Sequence, residues 1–195
     1  MSGVNIWISG AAFAIVHSAL ASRACKRRIA ALGVSPQAWR LTYSVLAVML
    51  TFLWLGWVRG LPNAPAWHAT GAAAVALILI QSAGVGIVAL SLKAIDVPAF
   101  LGLRPQTHPD ALFVERGVYR HMRHPMYTGV MLVLAANPLQ TINSLHLLGV
   151  VSLYFILGAR LEERRMLEQH PEYADYRRRV PAFVPRLPHL AKRRS

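Results

Sequence analysis

The sequence predicts an all-α integral membrane protein of about five transmembrane helices, closing with a C-terminal helical hairpin and a cytoplasmic flap. Three observations carry that expectation. Hydrophobic residues make up 55% of the 195 residues and charged residues only 15%, too few to coat a water-soluble domain of this size. The apolar residues gather into runs near the roughly 20 that a helix needs to cross a bilayer. The basic residues fall almost entirely at one end of those runs.

The first run spans 4–20 and is followed at once by the basic stretch ASRACKRR. Nearly uncharged runs over 41–58 and 67–92 come next. A final pair, 126–138 and 145–161, is separated by NPLQTINS, which reads as a tight turn between two antiparallel helices. The first member of that pair is short, about 20 Å at roughly 1.5 Å per residue, so it crosses only partly or is extended by its neighbours. Of the 21 Lys and Arg, all but Arg59 follow the first, third or fifth run. An outside N-terminus puts them in the cytoplasm, as the positive-inside rule requires. The net charge of +13 then reflects anionic membrane lipids as partners, with no nucleic acid, because no aromatic-and-basic single-strand platform is present. The expected location is a bacterial inner membrane with the functional face toward the cytoplasm.

SALAS at 18–22 has the small residues of a secretory cleavage site, but the leading MSGVN lacks positive charge and the basic cluster follows the apolar run. That order anchors a helix with its N-terminus out rather than marking it for removal. Cys25, the single cysteine, excludes an internal disulfide and a cysteine-rich metal site. It is expected to be inert or palmitoylated. The eight histidines include no H-x-x-x-H pair with a suitable carboxylate, so no metal is expected. The chain reads as a single domain over 1–195, with N-terminal helices over 1–92 and a functional core over 115–186.

That core holds two chemical features. In RHMRHPMYTG, 120–129, Pro125 fits the first turn of a helix, where its missing N–H is no loss, and His124 fits the cap position. Arg120, Arg123 and His124 then form a basic cradle at the positive end of a helix dipole. Such a place attracts a carboxylate or phosphate, or anchors lipid head groups. The second feature is Glu162 and Glu163, which arrive as the last apolar run stops. Antiparallel packing sets Pro125 roughly opposite residue 157 and the glutamates about one to two turns beyond, beside Tyr119 and Arg120. Alternatively they pair with arginines along their own helix. His17, in VHSALAS, is a polar group within membrane reach that lines an acceptor tunnel or bonds a neighbouring helix. Asp96 and His121 read as structural. No G-x-G-x-x-G loop follows a strand, which excludes a soluble Rossmann-type enzyme.

RHPMYTG, followed by LEERRML and then EYADYRRRVPAFVPR, resembles the isoprenylcysteine carboxyl methyltransferase superfamily of integral membrane methyltransferases, marked by RHPxYxG and a paired glutamate. VHSALASRACKRR, RLTYSVLAVML, IDVPAFLGLRP and the ANPLQTINSLHLLGVVSLYFILG hairpin are similar to its NnrU-like branch, especially methanethiol S-methyltransferases. These often continue FGLRQ where this chain has LGLRPQ, which displaces the glutamine to Gln106. The resemblance implies S-adenosylmethionine as cofactor, held by Tyr119, Arg123, His124, Tyr127, Gly129, Glu162 and Glu163. It implies transfer of a methyl group to a small-molecule acceptor, methanethiol giving dimethyl sulfide. In this scheme Arg120 and Glu163 assist catalysis and His17 binds the acceptor. A prenylcysteine or lipid acceptor, or a non-catalytic or isomerase NnrU-like protein, are the alternatives. Gly129 allows close approach of backbone to ligand or of helix to helix.

Overall fold

Four helices are long and apolar enough to cross a membrane: α1 (Ser2–Ala21), α3 (Pro36–Gly60), α4 (Gly71–Ala94) and α7 (Ile142–Gln169). A further apolar helix, α6 (Pro125–Ala135), is shorter. Short helices α2 (Arg23–Ala31), α5 (Val97–Leu101) and α8 (Tyr173–Arg179), with a 3-10 turn over Gly117–Arg120, occupy the connections. The computed structural model describes residues 1–105 and 114–185; Gln106 lies outside them. The architecture is that of an all-α integral membrane protein, with one feature the hydrophobic runs did not foretell. Strands β1 (Pro65–His68) and β2 (Leu139–Thr141) pair antiparallel, with Trp67 opposite Gln140. The run expected from residue 67 becomes helical only at Gly71, because residues 65–68 pair with β2 and the Ala69 N–H donates to the Pro138 carbonyl.

Local chemistry sets the boundaries. The Ser22 hydroxyl accepts the Cys25 N–H and starts α2 immediately after α1. Ser35 caps α3 in the same way, with Pro36 just inside. Asp96 caps α5, which stops at Gly102 in the left-handed conformation, φ 84°. A Cβ at Gly102 would also stand 2.5 Å from the backbone nitrogen of Leu41. Thr141 and Ser144 form a reciprocal capping box at the start of α7.

Helix α1 packs against α3 and α7 through the buried trio Ile6, Val58 and Val150, with Trp54 beside them. Helices α4 and α6 cross at two glycines. A Cβ on Gly129 would lie 2.6 Å from the carbonyl oxygen of Gly84, so the backbones touch and neither position admits a side chain without displacement. Gln81 Nε2 donates to the Val133 carbonyl across the same contact, at 3.0 Å. Outward faces carry large apolar side chains such as Phe52, Leu53 and Leu79, which suit lipid tails. The β ribbon marks one end of the bundle, where Trp7 on α1 meets His146 on α7. Helices α2 and α8 and the 3-10 turn lie at the other, basic end.

Candidate active site

At the basic end, the start of α6 builds the site. Pro125 sits in its first turn and His124 is the N-cap residue, as RHPMY predicts. The imidazole makes no cap bond, because it is used elsewhere. His124 Nε2 lies 2.9 Å from Glu163 Oε1. Arg123 places two guanidinium nitrogens on that same oxygen, each at 2.7 Å. Arg177 Nε stands 3.3 Å from the other oxygen. His124 and Glu163 are 7% and 8% exposed. A carboxylate is this far from water only at high cost unless its charge is matched, and here three side chains match it.

The same corner holds the end of the chain. Arg123 Nη1 donates to the carbonyls of Arg177 and Val180. The backbone N–H groups of Arg123 and His124 donate to the carbonyls of Pro181 and Ala182, both at 2.9 Å. Thr128 Oγ1 donates to the Phe183 carbonyl at 2.9 Å. Residues 180–183 are thus strapped across the entrance of α6. Beneath them Met166, Tyr173, Tyr176 and Val180 form a buried cluster, and the Tyr176 hydroxyl donates to the Tyr119 carbonyl at 2.6 Å. Burial pushes the Tyr173 and Tyr176 hydroxyls above the usual phenol range, so both stay neutral.

Glu162 is placed differently from its neighbour. Its side chain is 53% exposed, with Oε2 accepting from the Tyr127 hydroxyl at 3.2 Å and lying 3.9 Å from His124 Nδ1. Its second oxygen has no hydrogen bond among the described residues. Burial raises the Tyr119 hydroxyl, and the charge of Glu162 nearby raises it further. The Tyr127 ring is stacked between His124, centroids 5.5 Å apart, and Phe155 at 4.4 Å. The antiparallel register expected from the sequence holds for Tyr127 against Phe155, but the glutamates lie at the level of Arg123 and His124 and not beside Arg120.

Of the residues singled out in the sequence, Tyr119, Arg123, His124, Tyr127, Glu162 and Glu163 come together. The others sit apart. Arg120 lines an adjoining open groove of about 660 Å³ with Lys93, Arg116 and His121, none of them in an ion pair among the described residues. Arg116 also donates to the Ala94 carbonyl, closing the end of α4. Gly129 is at the α4–α6 crossing rather than the corner. His17 lies on α1, with Nδ1 2.8 Å from the Tyr154 hydroxyl and Nε2 3.2 Å from the Tyr43 hydroxyl. Asp96 is structural: the Ala99 N–H and then Arg104 hold its carboxyl below the usual range. Sequence reasoning did not single out Arg177, Thr128 or Phe155. Arg177 sits in a run of three arginines, and Phe155 reads as one more apolar residue of a greasy helix; contact alone distinguishes them.

Comparison with known proteins places this geometry. The sequence model of the isoprenylcysteine carboxyl methyltransferase (ICMT) family matches residues 100–170, which span both halves of the corner. Methanethiol S-methyltransferase 2 of Bradyrhizobium diazoefficiens is 33% identical over 94% of this chain and 72% of its own length. The methanethiol S-methyltransferase of Mycobacterium tuberculosis is 32% identical, covering 93% and 77% of the two chains. That of Crocosphaera subtropica is 30% identical, covering 89% and 71%. No solved structure matches significantly. A membrane bundle whose paired glutamates close on an RHPMYTG corner, related over nearly its whole length to these enzymes, belongs to the isoprenylcysteine carboxyl methyltransferase family and is a membrane methyltransferase.

Proposed function

We propose that the chain transfers a methyl group from S-adenosylmethionine to a small thiol, methanethiol, releasing dimethyl sulfide. The carrying observation is the asymmetry of the glutamate pair. Glu163 is consumed by Arg123, His124 and Arg177, whereas Glu162 presents an open carboxylate oxygen beside the Tyr127 ring. The donor set suits this cofactor. A half-exposed carboxylate accepts ribose hydroxyls, and the unpaired Arg120 in the adjoining groove suits the carboxylate of the amino-acid tail.

Bound there, S-adenosylmethionine supplies a methyl group activated on sulfur. The protein's tasks are to hold the acceptor in line, keep water out and accommodate the acceptor's proton. In this proposal Arg123, His124 and Glu163 position the site. A carboxylate whose charge is neutralised by the guanidiniums of Arg123 and Arg177 is a poor proton acceptor, so in this reading Glu163 fixes the corner and does not take the proton. His17 faces the acceptor side. Gly129 serves by letting α6 approach α4. Residues 180–183 act as the flap, the 115–186 region as the cofactor-binding core and 1–92 as the supporting helices, with α6 counted as a fifth, short span. The basic end faces the cytoplasm, where the cofactor is made, in a bacterial inner membrane.

A small apolar thiol reaches such a site through the bilayer, and its thioether product leaves the same way. Membranes containing the protein, given S-adenosylmethionine and methanethiol, are expected to release dimethyl sulfide into the headspace. Turnover of a prenylcysteine or phospholipid without dimethyl sulfide would overturn the thiol reading.

A further inference from the structure

One ionisable group within the apolar bundle has no part in the corner just described. His17 is half-buried on α1, and both ring nitrogens lie within hydrogen-bond distance of tyrosine hydroxyls from two other helices. Tyr154 of α7 is 2.8 Å from Nδ1; Tyr43 of α3 is 3.2 Å from Nε2 and 3.4 Å from Nδ1. The Ser18 hydroxyl lies 3.3 Å from the same Tyr154 oxygen. No hydrogen bond or ion pair joins His17 to a charged side chain among the described residues; Phe13 of α1 completes its surroundings. An ionisable side chain at this depth is rare and ordinarily serves transport or chemistry.

The cluster is also continuous with the corner. His124 stacks on Tyr127, Tyr127 on Phe155, Phe155 meets its neighbour Tyr154 at 6.3 Å, and Tyr154 meets the His17 ring edge-on at 6.0 Å. An unbroken wall of rings therefore runs from the entrance of α6 to His17. A neutral acceptor entering from the lipid would move along a surface that is apolar except at His17 and the hydroxyls around it.

We infer that His17 is the proton acceptor for the incoming thiol, with Tyr43 and Tyr154 orienting its ring and supporting it once charged. The inference rests on the methyltransferase reading above. An alkyl thiol holds its proton at neutral pH, and the thiolate is the nucleophile. An imidazole, half-protonated near about pH 6.5 in water, is predominantly free to accept at pH 7 or above. The S–H bond breaks and its proton passes to the Tyr43 oxygen as that hydroxyl hands its own proton to Nε2 of His17, so the tyrosine ends neutral and the imidazole charged. The sulfur electron pair forms the new S–CH3 bond as the donor's S–CH3 bond breaks, leaving the donor a neutral thioether. The imidazolium then releases the proton to water, so each turnover liberates one proton and needs no further reactant. Tyrosine oxygens on both sides accept from the charged ring, as they must where no carboxylate is at hand.

His17→Gln retains hydrogen bonding but cannot take a proton. Turnover by this variant is to be compared for methanethiol and for trifluoroethanethiol, which is similarly small but more acidic. The expected result is a loss of about a hundredfold or more in kcat with methanethiol at pH 7, recovering as pH rises, and a loss of only a few-fold with the acidic thiol. Donor affinity by calorimetry and thermal unfolding should match the wild type. Equal losses with both thiols, or full activity of His17→Gln, would overturn the inference alone. A wild type inert toward every thiol would overturn it together with the thiol reading.

Discussion

The two ends of the α6–α7 hairpin solve the same problem with different chemistry. At the ribbon end, neutral amides bind loops together. Gln140, 1% exposed, donates to the Leu134 carbonyl at 3.0 Å and accepts from Ser144 at 2.6 Å. Asn143, 3% exposed, donates to the Pro62 carbonyl at 3.1 Å, and its backbone N–H meets Asn63 Oδ1 at the same distance. At the basic end the corresponding work falls to Arg123, His124 and Glu163, with Arg120 and half of Glu162 unpaired among the described residues. Neutral amides read backbone carbonyls, do not titrate and leave nothing over. Charges cost more to bury and are arranged here with a surplus facing outward. The comparison teaches that a closed polar network marks a hinge of the scaffold, whereas an open charged one marks a place where something binds.

The sharpest break between the ends is topological. With Cys25 first replaced by Ser, Thr70→Cys at the ribbon end should react with an impermeant thiol reagent on intact cells, and Ala31→Cys at the basic end should react only after permeabilisation. Reversed labelling would put the corner outside and remove it from its cofactor supply.

Next in size is the contrast in stability. Glu163→Ala strands a buried guanidinium and should destabilise the protein by about 3 kcal/mol, with donor binding lost. Asn143→Ala leaves two carbonyls short of a donor and should cost about 1 to 2 kcal/mol, with donor affinity intact. Thermal unfolding in detergent, run beside calorimetric titration of S-adenosylmethionine, checks both; a loss of donor affinity in Asn143→Ala would erase the distinction drawn between the ends. The smallest effect on folding belongs to Glu162→Gln. Its half-exposed carboxylate should change stability by no more than about 0.5 kcal/mol. Donor affinity should nevertheless fall about tenfold, the loss of one charge-assisted hydrogen bond. Unchanged affinity would assign Glu162 to the helix surface.

Much of this was legible in the amino acids alone. Apolar runs, basic stretches and the Pro125 helix start are one-dimensional signals, because lipid forces each spanning segment to satisfy its own backbone and leaves its side chains apolar. They placed α1 and α6 within a few residues and found α3 and α7 short of their extensions at the basic end, and the pairing of RHPMYTG with the glutamates followed from hairpin register. Tertiary structure decided what depends on direction. Adjacent residues on a helix point about 100° apart, so Glu163 turns into Arg123 and His124 while Glu162 turns outward, a difference no composition carries. The same rotation sends Arg120 to the groove, Gly129 to α4 and His17 to Tyr154. The β ribbon joins residues far apart in the chain, and Arg123 collects carbonyls from residues 177 and 180 only after the end of the chain has folded back. Backbone acceptors have no sequence signature, since every residue has one; only the folded position determines which of them a buried arginine finds.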